Sequence, residues 1–352
     1  MNIRIWLVVI VPALVLISSS SFSQSDTTSK PVKKEKIKKG WTFGALPVVA
    51  YDADMGFQYG ALAQFFDYGD GTIYPDYRHT FYIEVSRFTK GSGVNQLFYD
   101  SKYLIPGNIR ITADLDYLTE RALDFYGFNG YQASYEPSVV DQESDDYISR
   151  VYYKHERFML RGMADFQGWI AGEQFRWLAG INYFNIKTAT VDIDRLNKGK
   201  KEDKQLPDTT LLYDEYVKYG LIGEDEKNGG SHGILKVGLI YDTRDNEAAP
   251  NKGIWSEMLL MVAPAFMSNT PYGFTQLAVS HRQFFTLYPN YLVLAYRLAY
   301  QGTITGNAPF YIQPYLFTSY ALTTKPDGLG GSRTIRGVMR NRVVGDGAVN
   351  GN

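Results

Sequence analysis

The chain has 352 residues, no cysteine and a formal net charge of −1, a length that suits one large barrel or two ordinary domains. The lack of cysteine excludes disulfides, thiolate metal sites and cysteine nucleophiles, and the near-neutral charge argues against a nucleic-acid binder driven by overall charge. With 28 tyrosines, 20 phenylalanines and 33 glycines, and no long apolar run after the N-terminus, the composition fits β structure better than a helix bundle.

Residues 1–23 read as a secretory signal peptide. Arg4 supplies the positive n-region, Trp6 to Ile17 is apolar, and Ser21-Phe22-Ser23 offers small residues for cleavage after Ser23. The apolar run, about twelve residues, is short for an uncleaved anchor helix. Residues 24–40, with Lys30, Lys33, Lys34, Lys36, Lys38 and Lys39, read as a solvated periplasmic linker. It is shorter than the ~50 residues that a folded domain needs.

From Trp41 onward the pattern has period two. Ile109, Ile111, Ala113, Leu115 and Tyr117 alternate with Arg110, Thr112, Asp114 and Asp116. Similar alternation runs through Phe158–Phe166, Phe175–Tyr183 and Leu292–Tyr300, each with an apolar row facing a row that carries charge. A soluble barrel hides its apolar row inside, whereas a membrane barrel turns that row to lipid and keeps charge in a wet lumen. Alternation alone does not separate the two. The signal peptide, strand-end aromatics (Tyr99, Tyr103, Tyr288, Tyr291) and loop lengths favour the membrane barrel.

The expected strands are 41–51, 54–66, 78–89, 94–104, 108–119, 155–166, 174–186, 234–243, 253–263, 273–286 and 291–302. With the N-terminus in the periplasm, the long connections Arg121 to Lys154 and Lys187 to Gly233 are both external, and most internal turns are short. The domain is expected to span 41–352 and to be incomplete at its C-terminus, because eleven strands cannot close an even-stranded barrel and the chain stops at Asn352 as a twelfth should begin.

Two segments stand out. Gly330-Gly331-Ser332-Arg333-Thr334-Ile335-Arg336-Gly337 opens an arginine- and glycine-rich loop after the eleventh strand. Arg336 is permanently charged and needs a partner if held away from water; a lumenal carboxylate would pin the loop inside the barrel. Gly337 lets the tip turn. The second segment, Tyr241-Asp242-Thr243-Arg244-Asp245-Asn246 followed by Pro250-Asn251-Lys252-Gly253, falls on an internal turn. There Asp242, Arg244 and Asp245 are expected to satisfy one another and the turn backbone.

Together these segments, over about 234–342, resemble the BamA/TamA superfamily of outer-membrane assembly barrels, also called the bacterial surface antigen family. The resemblance implies a sixteen-stranded transmembrane antiparallel β-barrel, of which about eleven strands and the lumenal loop are present here. It implies that the loop folds into the lumen, with Gly330, Gly331, Arg333, Arg336 and Gly337 as its motif and Asp242, Arg244, Asp245 and Gly253 as the periplasmic turn motif. It places the acidic partner of Arg336 in a thirteenth strand, beyond Asn352. Val338 stands where the family has an aromatic residue, and the family's periplasmic repeats are not seen ahead of Trp41. The implied location is the bacterial outer membrane, reached through the inner membrane by a cleaved signal peptide. The implied partners are outer-membrane lipid, client outer-membrane proteins and a separate periplasmic partner.

Other chemistry is thin. His79, His155, His232 and His281 sit in no metal-ligand motif and read as interfacial or surface residues. The acids Asp141, Glu143, Asp145, Asp146 and Glu224-Asp225-Glu226 read as solvated external loop residues. No cofactor, metal or nucleic acid is expected. Three functions compete: a non-enzymatic barrel that aids insertion or translocation of proteins, a passive pore or surface protein biased toward anions by Arg110, Arg157, Arg161, Arg176 and Arg297, and a barrel lipid hydrolase. The last needs a Ser/His pair. His155 or His281 could face a serine across strands, but no nucleophile motif is present.

Overall fold

The computed structural model describes residues 37–351 apart from 53–54, 129–132, 248, 290, 320–327 and 332–333. The signal-peptide residues, most of the lysine-rich linker, and Arg333 lie outside the described residues. The rest forms one antiparallel sheet of twelve strands in sequence order. They are β1 (Trp41–Asp52), β2 (Gly56–Asp67), β3 (His79–Phe88), β4 (Gly93–Ile105), β5 (Ile109–Asp124), β6 (Lys154–Ala171), β7 (Phe175–Ala189), β8 (Gly230–Asp242), β9 (Gly253–Ala263), β10 (Phe274–Tyr288), β11 (Leu292–Gly306) and β12 (Gly347–Gly351).

Eleven of these match the expected spans to within a few residues, and two differences are informative. The strands are longer than a membrane crossing of nine to eleven residues requires: β6 has 18 residues and β5 has 16. Their added turns of sheet run toward the long connections, where 125–153 and 190–229 pack against them through Phe125, Tyr213 and Tyr216. A twelfth strand is also present, since Gly347–Gly351 already pairs with Leu298–Gly302 of β11.

The two faces of the sheet have opposite chemistry. On β5, Arg110, Thr112, Asp114 and Asp116 are buried while Leu115 and Tyr117 are exposed. On β6, Arg157, Arg161 and Asp165 are buried and Leu160 is exposed; on β8, Lys236 is buried and Leu235, Val237, Leu239 and Tyr241 are exposed. A water-soluble barrel has the reverse arrangement, because exposed apolar rows of this extent cost free energy in water. The fold is therefore a transmembrane antiparallel β-barrel sheet, with an apolar outer face and a lumenal face that carries the charges. Trp41, Tyr103, Trp169, Tyr241, Tyr288 and Tyr291 are exposed near the strand ends that carry the short turns, as a girdle at one membrane interface.

The sheet curls around a segment of its own chain. After β11 the residues Ala308, Phe310, Tyr311, Ile312, Tyr315 and Phe317 are buried against inward side chains of β7 to β10, such as Phe184, Ile234, Leu259 and Phe274. The Tyr315 ring meets Phe184 edge-on with centroids 4.8 Å apart.

Candidate functional site

The lumenal face presents charges in strand after strand, and each must be neutralised where it is held from water. Arg161 on β6 bonds Asp114 and Asp116 of β5 together with the Tyr315 hydroxyl of the plug segment. Lys236 on β8 pairs with Asp165 on β6 at 2.5 Å. Arg157 donates twice to Glu120 Oε2, at 2.8 and 2.5 Å. The plug is fixed by its backbone as well. The Glu257 carboxylate accepts from Ser319 N at 2.7 Å and Thr318 Oγ1 at 2.8 Å. Gln301 donates to Tyr315 O at 2.7 Å and accepts from Phe317 N at 2.8 Å. These contacts put the segment after β11 inside the lumen. Of the five arginines that would bias a pore toward anions, Arg110, Arg157, Arg161 and Arg176 bear carboxylate partners, while Arg297 holds Thr334 O and Asn350 Oδ1.

The loop motif lies just beyond the plug. Leu329 and Val343 form an isolated bridge, so the loop returns on itself. Gly330 has φ 113°, and a Cβ there would stand 1.8 Å from the Met339 carbonyl, so only glycine fits. Gly331 and Gly337 also have positive φ, and the Gly331 N–H donates to Val338 O at 2.7 Å. The Thr334 hydroxyl clasps Gly330, donating to its carbonyl at 2.6 Å and accepting from its N–H at 2.8 Å. Arg297 of β11 then holds Thr334 O at 2.7 Å.

The expected carboxylate partner of Arg336, in a thirteenth strand, lies outside the described residues. Arg336 is exposed, and among the described residues no carboxylate pairs with it. Arg340 of the same loop reaches Glu120 Oε1 at 2.9 Å. Asn341 donates to Asp124 O at 3.3 Å and Arg342 to Ala133 O at 2.5 Å, with its guanidinium 5.6 Å from the Tyr126 ring centroid. The sequence marks a cluster of arginines here, but which of them meets a carboxylate depends on the turn that Gly330 and Gly337 set.

The second motif closes the short-turn end. Arg244 grips Asp242 with Nε and a terminal nitrogen, both at 2.9 Å, and Arg176 of β7 reaches the same carboxylate at 2.8 Å. Asp245 serves the backbone, accepting from Asn251 N and Lys252 N. Gly253 has φ 105°, and a Cβ there would meet Thr243 O at 2.3 Å.

Glu247, in the same turn, was not singled out by the sequence. It reaches Arg110 of β5 at 2.5 Å and Lys102 of β4 at 3.5 Å. Arg110 also holds Asp100 in a fork of 2.7 and 2.9 Å, and Tyr77 donates to Asp100 at 2.8 Å. Burial opposes ionisation of Glu247, but the positive charges of Arg110, Lys102 and Arg244 outweigh it and hold the carboxyl at about 2.

Two of the histidines correct the expectation of interfacial or surface positions. His155 and His232 are buried, and His232 bridges Ser268 and Tyr311 at 3.1 and 2.9 Å. His281 is on the outer face, where it meets Ser256. Among the acids read as solvated, Glu226 accepts from Phe310 N at 3.1 Å and Tyr272 Oη at 2.9 Å, so it orders the plug.

No family model matches the chain, and no curated protein matches it. Among solved structures, the chain is similar to BamA from Haemophilus ducreyi lacking POTRA domains 1–3, at 14% identity and a TM-score of 0.46, covering 86% of this chain and 46% of that one. The chain thus spans about half the length of that structure, 46%.

Proposed function

We propose that this chain is the barrel of an outer-membrane protein that aids insertion or translocation of other proteins, as its loop and turn motifs suggest by their resemblance to the BamA/TamA superfamily. In this reading the short turns face the periplasm and the long connections face outward. The work is mechanical and needs no catalytic residue. Its partners are lipid, client proteins and a separate periplasmic protein.

The observation that carries the reading is Pro47 at the centre of β1. Gly40 O accepts from Tyr68 N at 3.0 Å, and the β1–β2 register then runs unbroken. Even-numbered residues of β1 therefore turn their backbone groups to β2, and odd-numbered residues turn theirs to the opposite edge. Pro47 has no N–H to offer that edge. Whatever strand lies along it finds a donor missing at its middle, which weakens pairing there and leaves room for exchange with a client strand by β-augmentation.

The plug segment and the carboxylate partners of Arg110, Arg157, Arg161 and Arg176 weigh against a passive anion pore. Replacing Pro47 with Val restores the donor and is expected to slow client insertion while leaving the barrel folded. The test is depletion of the protein, with complementation by wild type or Pro47→Val, followed by quantification of other outer-membrane proteins. Normal levels of all of them after depletion would refute the assembly role.

A further inference from the structure

On the outer face, four polar side chains of β9, β10 and β11 form a hydrogen-bonded chain that the lumenal machinery does not use. Ser256 is on β9 and His281 on β10, directly opposite each other in the register, and both point outward with the exposed Met258 and Val279. Ser256 Oγ lies 2.8 Å from His281 Nδ1. His281 Nε2 lies 3.1 Å from Tyr296 Oη on β11, and Tyr296 donates its proton to Gln283 Oε1 at 2.7 Å. Because the tyrosine proton is committed to Gln283, its oxygen accepts from Nε2–H. Nδ1 is then the bare nitrogen, and the serine hydroxyl donates to it. A serine hydroxyl on a neutral imidazole whose second nitrogen is fixed by a third group is the arrangement that activates a nucleophile.

Its position specifies the substrate class. Ser256 is three residues into β9 from Gly253, roughly 10 Å along the strand from the short-turn end. That depth is near the interfacial girdle of Tyr241 and Tyr288, where acyl esters of membrane lipids lie. Polar groups on a lipid-facing surface are costly, so four of them in one bonded chain are not a neutral filling of the face.

We propose that Ser256 and His281 form a hydrolytic dyad for acyl esters of glycerophospholipid in the leaflet at the short-turn end. This activity is independent of protein insertion and rests only on the outer face meeting lipid. Ser256 Oγ adds to the acyl carbonyl as its proton passes to His281 Nδ1, and the glycerol oxygen leaves with that proton. Water, deprotonated by the same nitrogen, attacks the acyl-serine ester. The fatty acid departs and the proton returns to Ser256 Oγ. Tyr296 is a positioning residue that holds the tautomer. The Gln283 amide nitrogen, diagonal to Ser256 across the strands, is the donor for the carbonyl oxygen.

The test uses the full chain in mixed micelles of detergent and phosphatidylethanolamine, read by fatty-acid release, with a fluorophosphonate probe to locate a reactive serine by mass spectrometry. The expected result is release and labelling at Ser256, with release lowered roughly 100-fold in Ser256→Ala and His281→Asn. Tyr296→Phe should shift the pH–rate profile rather than abolish release. Heat-modifiable electrophoretic migration confirms that each variant is folded. If the folded wild type neither releases fatty acid nor labels at Ser256, or if Ser256→Ala releases it at the wild-type rate, the dyad is structural and the proposal is wrong.

Discussion

Arg340, in the loop after β11, reaches Glu120 at the end of β5 across 2.9 Å, and the same carboxylate holds Arg157 of β6. One acid therefore ties the loop to the barrel wall. Glu120→Ala removes the carboxylate from an arginine whose side chain is only 3% exposed, and should cost about 3 kcal/mol. Arg340→Ala removes a partner whose side chain is 35% exposed and should cost at most about 1 kcal/mol. Denaturant unfolding in detergent, compared between the two variants, checks the asymmetry.

The Glu247–Arg110 pair makes stability depend on pH. The Glu247 carboxyl falls from 4.5 to about 2 on folding, so in this window the unfolded state binds more protons than the folded one. The pair's contribution is full above about 4.5 and is lost as pH falls through about 2. Glu247→Gln should flatten that part of the stability profile and leave the rest unchanged. Because the Glu247 side chain is 45% exposed, added salt should reduce the effect. An acid titration of the unfolding midpoint for both proteins measures this.

Membrane embedding has its own signature. Leu115, mid-strand on β5, is 52% exposed on the apolar face. Leu115→Arg should destabilise the protein by about 2–4 kcal/mol in liposomes, where lipid meets that position. In a water-soluble barrel, the same change on an exposed residue would fall within about 0.5 kcal/mol. Folding titrations into liposomes distinguish the two.

The plug predicts an obstructed lumen. Deleting residues 307–319 should raise the conductance in planar bilayers, because the buried Phe310, Ile312, Tyr315 and Phe317 obstruct the interior. Phe184→Ala, which leaves a cavity beside Tyr315, should leave the conductance unchanged while costing about 3–5 kcal/mol. Equal conductance in the intact and deleted chains would show that the plug does not obstruct the barrel.

The strands were legible because period two is a local property: one residue in two carries the apolar row, and each turn announces itself by glycine, proline or a polar cluster. Ile109–Tyr117 and Leu292–Tyr300 needed no partner to be recognised, and neither did the turn from Tyr241 to Gly253, whose Asp242–Arg244 grip spans two residues. Which row faces outward was not local. Arg110 and Leu115 alternate identically in a soluble and a membrane barrel, and only the curl of the sheet around Phe310–Phe317 puts the charges inside. Arg340 rather than Arg336 meets Glu120 because a contact across 220 residues is set by the path of the loop, which four arginines in one short stretch do not reveal. Ser256 and His281 are 25 residues apart and become neighbours only through the register of β9 and β10. The sequence by itself determined the strands, their order and the segments that break them. The tertiary structure decided which face meets lipid, which charges are paired and which distant side chains share a hydrogen bond, because each depends on contacts between residues far apart in the chain.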